Sequence, residues 1–111
     1  MATGIIKVCG IIGDPVEHSM SPVMHNAAFA RMGIDYIYLP FRVKKEELGQ
    51  AIEGMRALNI RGLNVTIPHK VAVIPYMDKL DPLSEKIEAV NTIVNEDGTL
   101  TGYNTDATGF L

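Results

Sequence analysis

The chain has 111 residues, of which 47% are hydrophobic and 21% charged, so its length and composition are those of one globular domain. Its net charge of −3 argues against a nucleic-acid surface, and its single cysteine excludes a disulfide framework. No apolar run approaches the roughly 20 residues of a membrane span, and the first residues do not have the pattern of a signal peptide. We therefore expect a soluble, cytoplasmic domain with little room for a second, nucleotide-binding lobe.

A strand and a helix are the first predicted elements. Residues 5–12 form a β-branched run closed by a Gly-Asp-Pro turn, which is typical of a strand covered by helices on both faces. Ser21 and Pro22 then predict a helix start, since Ser is a favoured N-cap and Pro suits the first helical position. Gly33 is the expected C-cap of this helix.

Two further strands flank an amphipathic helix. Residues 36–43 predict a strand, and Pro40 places it at a sheet edge or at a bulge because proline cannot donate to a ladder. Residues 44–58 predict a helix, and residues 62–67 a third strand. The apolar face of the helix, at spacings of three and four, consists of Leu48, Ala51, Ile52, Met55 and Leu58.

The last third of the chain predicts two short helices and a hairpin. The helices cover residues 68–74 and a segment from Asp81 to about Glu88. Residues 89–94 and 100–103 predict antiparallel strands, because Asp-Gly between apolar runs is a strong hairpin signal. The predicted fold is therefore α/β, a three-layer αβα sandwich around a mixed, mostly parallel sheet with a C-terminal antiparallel hairpin.

Polar residues follow the predicted strands at the places where open α/β sheets bind ligands. Ser19 and Ser21 precede a helix whose free N–H groups suit a carboxylate or phosphate, although Ser21 as a plain N-cap is the more frequent role for such a residue. Asn64 and Thr66 share one strand face, and Asn91 lies in another apolar strand. A buried amide needs partners, so these groups either satisfy one another or bind ligand hydroxyls.

Lys70 is the candidate for proton transfer. It falls near the start of the predicted helix after a polar strand end, where the helix dipole and partial burial would lower its pKa. Asp106 follows the last strand and either caps a helix or pairs with Lys70. The alternative interpretation is that Lys70 is an ordinary solvated surface lysine with no role in catalysis.

Other chemistries find little support. His18, His25 and His69 do not have the short spacings of a zinc site, so no metal is expected. Gly10 and Gly13 do not form a dinucleotide fingerprint. Cys9, inside a strand, is interpreted as inert core.

Several motifs stand in order along the chain. They are Gly10-Ile11-Ile12-Gly13-Asp14-Pro15, His18-Ser19-Met20-Ser21-Pro22-Val23-Met24-His25, Gly62-Leu63-Asn64-Val65-Thr66-Ile67-Pro68-His69-Lys70, Ala89-Val90-Asn91-Thr92 and Gly102-Tyr103-Asn104-Thr105-Asp106-Ala107-Thr108-Gly109. In these motifs the chain resembles the N-terminal, substrate-binding domain of the shikimate dehydrogenase family. Departures are modest, since the family often has Phe where His69 stands and Gly where Ala107 stands.

The resemblance implies an enzyme that uses NADPH to reduce 3-dehydroshikimate to shikimate in aromatic amino-acid biosynthesis. NADP(H) would be bound by a Rossmann domain absent from this chain, so residues 1–111 would form the substrate-binding domain and be inactive alone. The implied partners are shikimate, 3-dehydroshikimate and that NADP domain, with a homodimer left open and no metal, nucleic acid or membrane.

The resemblance also implies a role for each polar residue singled out above. The catalytic pair would be Lys70 and Asp106, and both would also contact the substrate. The substrate carboxylate would be bound by Ser19 and Ser21. The ring hydroxyls would be bound by Asn64, Thr66 and Asn91.

Two alternatives stay open. One is a dehydrogenase of dual quinate and shikimate specificity. The other is a non-catalytic module that binds a small hydroxy-acid, which would keep the serines and asparagines but would not need the pair of Lys70 and Asp106.

Overall fold

A mixed sheet of six strands organises the computed structural model, which describes residues 6–17 and 19–105. The strands are β1 (Lys7–Gly13), β2 (Tyr36–Arg42), β3 (Gly62–Val65), β4 (Lys79–Leu80), β5 (Thr92–Glu96) and β6 (Thr99–Tyr103). Their order across the sheet is β2-β1-β3-β5-β6-β4. Strand β1 is parallel to β2 and β3, β4 is parallel to β6, and β5 is antiparallel to β3 and β6. The predicted mixed sheet with a C-terminal hairpin is confirmed.

Helices cover both faces of this sheet. Helix α1 (Ser21–Met32) packs against β2 and β1 on one face. Helix α2 (Leu48–Ala57), preceded by a 3-10 helix at Lys45–Glu47, packs on the other face, and α3 (Pro82–Ile87) lies beside β4 and β6. The two covered faces make the predicted three-layer arrangement. None of the helices in the described part of the chain is long and apolar enough to cross a membrane.

The hydrophobic core lies between the sheet and α2. Three residues of the predicted helix face, Leu48, Ile52 and Met55, are fully buried there, whereas Leu58 is 74% exposed beyond the helix end. Their partners in the core are Ile12, Val43, Leu63, Val65, Val73, Val90, Ile93 and Leu100. Burying an aliphatic side chain of this size stabilises the fold by about 1.5–3 kcal/mol, so this layer carries most of the packing energy.

Local sequence signals set several element ends. Gly33 ends α1 with φ 68°, as expected for a left-handed C-cap. The Asp81 carboxylate caps α3 by accepting the N–H groups of Leu83 and Ser84 at 3.1 Å. Strand β2, which contains Pro40, lies at the sheet edge as predicted.

The β5–β6 hairpin turns at Asp97 and Gly98. Their φ angles of 53° and 95° are both positive, which is the requirement of the tight turn that Asp-Gly favours. The buried Asn95 supports the turn, because its Oδ1 accepts the N–H of Gly98 at 2.8 Å.

The predicted helix over residues 68–74 is wrong. The segment is a series of turns followed by a 3-10 helix at Ile74–Tyr76. The carbonyl of Lys70 accepts the N–H of Val90 at 2.8 Å, a long-range bond that diverts it from a helical ladder. Pro75 adds to this, since its ring is incompatible with a helical carbonyl four residues earlier.

Smaller corrections concern element boundaries. Ser21 is the first residue of α1 and not its N-cap, a position that Met20 holds. Strand β3 ends at Val65 and β5 begins only at Thr92, and the two-residue strand β4 was not predicted. Such ends depend on tertiary hydrogen bonds more than on local sequence.

Candidate functional site

The face of the sheet that α1 covers in part carries the polar side chains. The strand register sets Cys9 beside Tyr38, and it sets Asn64 beside Ile11 on one side and Thr92 on the other. Side chains at paired positions of neighbouring strands share one face, so polar groups from β2, β3 and β5 meet there.

Two clefts open on this face. One, of about 320 Å³, is lined by Ser19 and Thr66 together with apolar side chains of β1 and its following loop. The other, of about 200 Å³, is lined by Asn64, Thr92 and Tyr38 among others. The paired residues Ile11 and Asn64 line one cleft each, so the two clefts adjoin and could hold different parts of a single small ligand.

The two serines lie at the start of α1. The Ser19 Oγ accepts the N–H of Ser21 at 3.2 Å, so Ser19 satisfies one of the free donors of the helix start. Ser19 therefore supplies a side-chain acceptor at the helix start, next to Met20 at the N-cap position. The Ser21 side chain acts to lower the pKa of the Tyr38 hydroxyl.

Asn64 is held from both sides. The Tyr38 hydroxyl donates to Asn64 Oδ1 at 2.7 Å, and Asn64 Nδ2 donates to Thr92 Oγ1 at 3.4 Å. The cost of placing an amide in an apolar strand is thus offset by two partners.

Asn91 continues the same network. Its Oδ1 accepts from Thr92 Oγ1 at 3.0 Å and from the N–H of Thr105 at 2.9 Å. Its Nδ2 donates to Thr105 Oγ1 at 3.0 Å. Hydrogen bonds therefore run continuously from Tyr38 through Asn64 and Thr92 to Asn91.

Lys70 comes close to this network through the backbone. The backbone carbonyl of Lys70 accepts the N–H of Val90, which precedes Asn91 in the chain. The backbone carbonyl of Asn91 accepts the N–H of Val65 at 2.7 Å. The half-buried Lys70 and the network are therefore neighbours at one end of β3. Asp106 lies outside the described residues, so its pairing with Lys70 stays a prediction.

The structure adds Tyr38 to this site. Thr92 and Thr105 belong to the polar motifs noted in the sequence, although no role was predicted for either. Tyr38 carried no such signal, since an aromatic residue in an edge strand is ordinary. Burial raises the pKa of Tyr38 to about 12, while a hydrogen bond with Ser21 acts in the opposite direction, so at neutral pH the phenol is a hydrogen-bond donor.

Two other groups noted in the sequence are His69 and Cys9, whereas His18 lies outside the described residues. His69 is fully buried and its Nε2 lies 2.6 Å from the carbonyl oxygen of Val43. Burial raises the pKa of the Cys9 thiol, but Cys9 is only partly buried and lines the cleft of Asn64 and Thr92, so its expected place in the core is wrong. Within residues 6–17 and 19–105, no group of three His, Cys, Asp or Glu side chains could hold a metal ion.

Gly10 and Gly13 pack against neighbouring segments of the fold. A β-carbon at Gly10 would lie 2.1 Å from the carbonyl oxygen of Leu39, and one at Gly13 would lie 2.3 Å from Thr66 Cγ2. Both glycines thus permit close contacts of β1 with its own neighbours, and neither forms a phosphate-binding turn before a helix.

The chain is thus an α/β domain whose open sheet face presents hydroxyl and amide groups around two adjoining clefts. The family model of the shikimate dehydrogenase substrate binding domain matches residues 11–93. The chain belongs to this family.

Individual relatives agree in sequence and fold. The shikimate dehydrogenase (NADP(+)) of Methanothermobacter thermautotrophicus is 56% identical over 111 residues, which are 100% of this chain and 39% of that protein. The structure of shikimate 5-dehydrogenase from Listeria monocytogenes in complex with shikimate and NAD is 51% identical, with a TM-score of 0.93 over 97% of this chain and 37% of the other. A 5-ketofructose reductase of Gluconobacter is 32% identical, with a TM-score of 0.94 over 97% of this chain and 39% of that one. The chain therefore spans less than two fifths of the length of these relatives.

Proposed function

We propose that the chain is the substrate-binding part of an NADP-dependent shikimate dehydrogenase, which interconverts 3-dehydroshikimate and shikimate. The observation that carries this proposal is the continuous network through Asn64 and Asn91 on the open sheet face of a chain that belongs to this family. A ring that carries several hydroxyls and one carboxylate needs such a surface of paired donors and acceptors.

In this proposal the two clefts divide the substrate between them. Ser19 and Ser21, at the positive end of α1, hold the carboxylate. Thr66 lies in the cleft of Ser19, so it contacts the part of the ring nearest the carboxylate. Asn64 and Asn91 hydrogen-bond ring hydroxyls farther along the sheet.

Lys70 is proposed to handle the proton of the reacting carbon–oxygen group. Its Nζ would donate to the substrate oxygen when the ketone is reduced and accept from it in the reverse direction. Asp106 would hold the ammonium in place. A positioned acid or base of this kind contributes typically a factor of about 10²–10⁴ to the rate.

The cofactor NADP(H) is proposed to be bound by a separate domain. It supplies and receives the hydride, and the residues described here supply substrate binding and proton handling. A cytoplasmic location completes the proposal.

Calorimetric titration of the 111-residue chain with shikimate tests this function. We expect saturable binding of one shikimate per chain, which weakens about 10- to 150-fold in Ser19→Ala, since a hydrogen bond to a charged group is worth about 1.5–3 kcal/mol. Gln50→Ala, an exposed change on α2, is the control and should bind as the parent chain does. Absence of saturable shikimate binding by a folded chain would contradict the proposal.

A second candidate substrate class comes from the 5-ketofructose reductase. That relative has the same fold at 32% identity, and its name refers to a hydroxylated ketone of another class. Parallel titrations with quinate and 5-ketofructose decide between the candidates. We expect shikimate to bind most tightly, and tighter binding of either other ligand would replace it.

A further inference from the structure

Tyr38 lies where the two groups of predicted site residues meet. Its side chain is 2% exposed, and its hydroxyl donates to Asn64 Oδ1 at 2.7 Å. The Ser21 side chain, at the start of α1, lies near enough to this hydroxyl to act on its pKa. The phenol oxygen is therefore near a serine on the α1 side of the site and bonded to an asparagine of the sheet.

Helix α1 holds this tyrosine firmly although β2 is an edge strand. The Asn26 side chain accepts the N–H of Tyr38 at 2.8 Å and donates to its carbonyl at 2.9 Å, which satisfies the outward backbone groups of that residue. The ring of His25 stacks on the ring of Tyr38, with centroids 4.2 Å apart and an interplanar angle of 10°. Backbone and ring are therefore both fixed by consecutive residues of α1.

The direction of the hydrogen bonds determines what Asn64 offers. A phenol has a single proton, and Tyr38 gives it to Oδ1, so the amide oxygen faces β2. The NH2 group then points toward β5, where one N–H reaches Thr92 Oγ1. An asparagine without this tyrosine could rotate by half a turn and present either its oxygen or its nitrogen.

We propose that Tyr38 is a positioning residue that locks Asn64 as a hydrogen-bond donor, so that the ligand atom bound at Asn64 is an acceptor oxygen. The proposal rests on the proposed function for the identity of the ligand, and on the contacts of Tyr38 and Thr92 alone for the orientation of the amide. Tyr38 is not assigned contact with the ligand; it acts through Asn64.

The test compares Tyr38→Phe with Tyr36→Phe in the full 111-residue chain. Both variants remove one phenol oxygen from the same face of β2, but within the described residues the Tyr36 ring contacts Phe29 and Lys7 and its hydroxyl makes no hydrogen bond. We expect Tyr38→Phe to raise the Kd for shikimate about 3- to 10-fold, as the loss of one orienting hydrogen bond would, and Tyr36→Phe to leave it unchanged.

A double-mutant cycle separates positioning from a general structural effect. In an Asn64→Ala background, Tyr38→Phe should change the Kd no further, because the group it orients is gone. Equal effects of Tyr38→Phe in both backgrounds would overturn the proposal, as would equal Kd values for Tyr38→Phe and Tyr36→Phe.

The Asn64 side-chain amide gives a readout that needs no ligand. Its two N–H signals in an NMR spectrum should be sharp and distinct in the parent chain and in Tyr36→Phe, and shifted or broadened in Tyr38→Phe. If shikimate does not bind the parent chain, the proposed function fails while this spectrum still decides the positioning role. Unchanged Asn64 signals in Tyr38→Phe would overturn the proposal.

Discussion

At the scale of single residues, Asn91, which is proposed to bind the ligand, also has a structural role. Its buried side chain accepts from Thr105 and Thr92 and donates to Thr105, so it anchors the chain after β6 to the start of β5. Asn91→Ala leaves the N–H of Thr105 without this acceptor, and we expect a loss of about 1–3 kcal/mol in the free energy of unfolding. Urea denaturation measures it, with Gln50→Ala as a control expected within about 0.5 kcal/mol. A change of control size in Asn91→Ala would show that the bonds are not needed.

The Asp78 carboxylate should make the stability of the fold depend on pH. The N–H of Leu100 and the Arg56 guanidinium hold the pKa of the Asp78 carboxyl below its usual value. Because the folded pKa is below that of the unfolded chain, about 3.9, the carboxylate stabilises the fold above that pH and the contribution disappears as the pH falls through the folded pKa.

Asp78→Asn tests this dependence. The variant should be less stable than the parent chain at pH 7, and the difference should shrink below about pH 4. Thermal melts across the acid range measure it. A difference that stays constant with pH would show that ionisation of Asp78 is not involved.

At the scale of elements, substitution by alanine should have opposite effects on stability at two glycines, Gly98 and Gly54. Gly98 has φ 95° in the hairpin turn, a conformation that strains any other residue, whereas Gly54 lies in α2, where an added β-carbon would have nothing within 4 Å. We expect Gly98→Ala to lower the free energy of unfolding by about 1 kcal/mol or more, and Gly54→Ala to raise it by about 0.5–1 kcal/mol. Denaturant unfolding of both variants is the measurement, and stabilisation by Gly98→Ala would contradict the turn assignment.

The elements that could be predicted from the sequence are those determined by local contacts. Contacts between residues close in sequence determine the Asp-Gly hairpin, the Gly33 cap and the Asp81 cap, so a local pattern predicts each of them. The helix over residues 68–74 was wrong because the carbonyl of Lys70 bonds with Val90, far along the chain, a contact that no local pattern encodes. Tyr38 was missed for the same reason, since its role depends on α1 packing over an edge strand.

At the scale of the whole molecule, the site residues come from distant parts of the chain. Asn64 and Asn91 were predictable as polar residues in apolar strands, and the antiparallel pairing of β3 with β5 brings them into one network. Their linkage through Thr92 could not be predicted, because it depends on the register of that pairing.

A chimera tests the proposed catalysis. We expect the 111 residues, placed into the Methanothermobacter relative in exchange for its matching segment, to give an enzyme that oxidises NADPH with 3-dehydroshikimate. Lys70→Ala in this chimera should lower kcat about 10²–10⁴-fold with shikimate binding retained. Lys79→Ala, which removes an exposed lysine of β4, is the control and should keep full activity. Full activity in Lys70→Ala would remove Lys70 from the mechanism.

An NMR titration of the isotope-labelled chain with shikimate shows whether the α1 face of the sheet is the binding surface. We expect shikimate to shift the side-chain amide signals of Asn64 and Asn91 and the backbone signals of Ser19 and Thr66, and to leave α2 unchanged. Shifts concentrated in the apolar groove between α2 and β2, around Phe41 and Leu58, would contradict it.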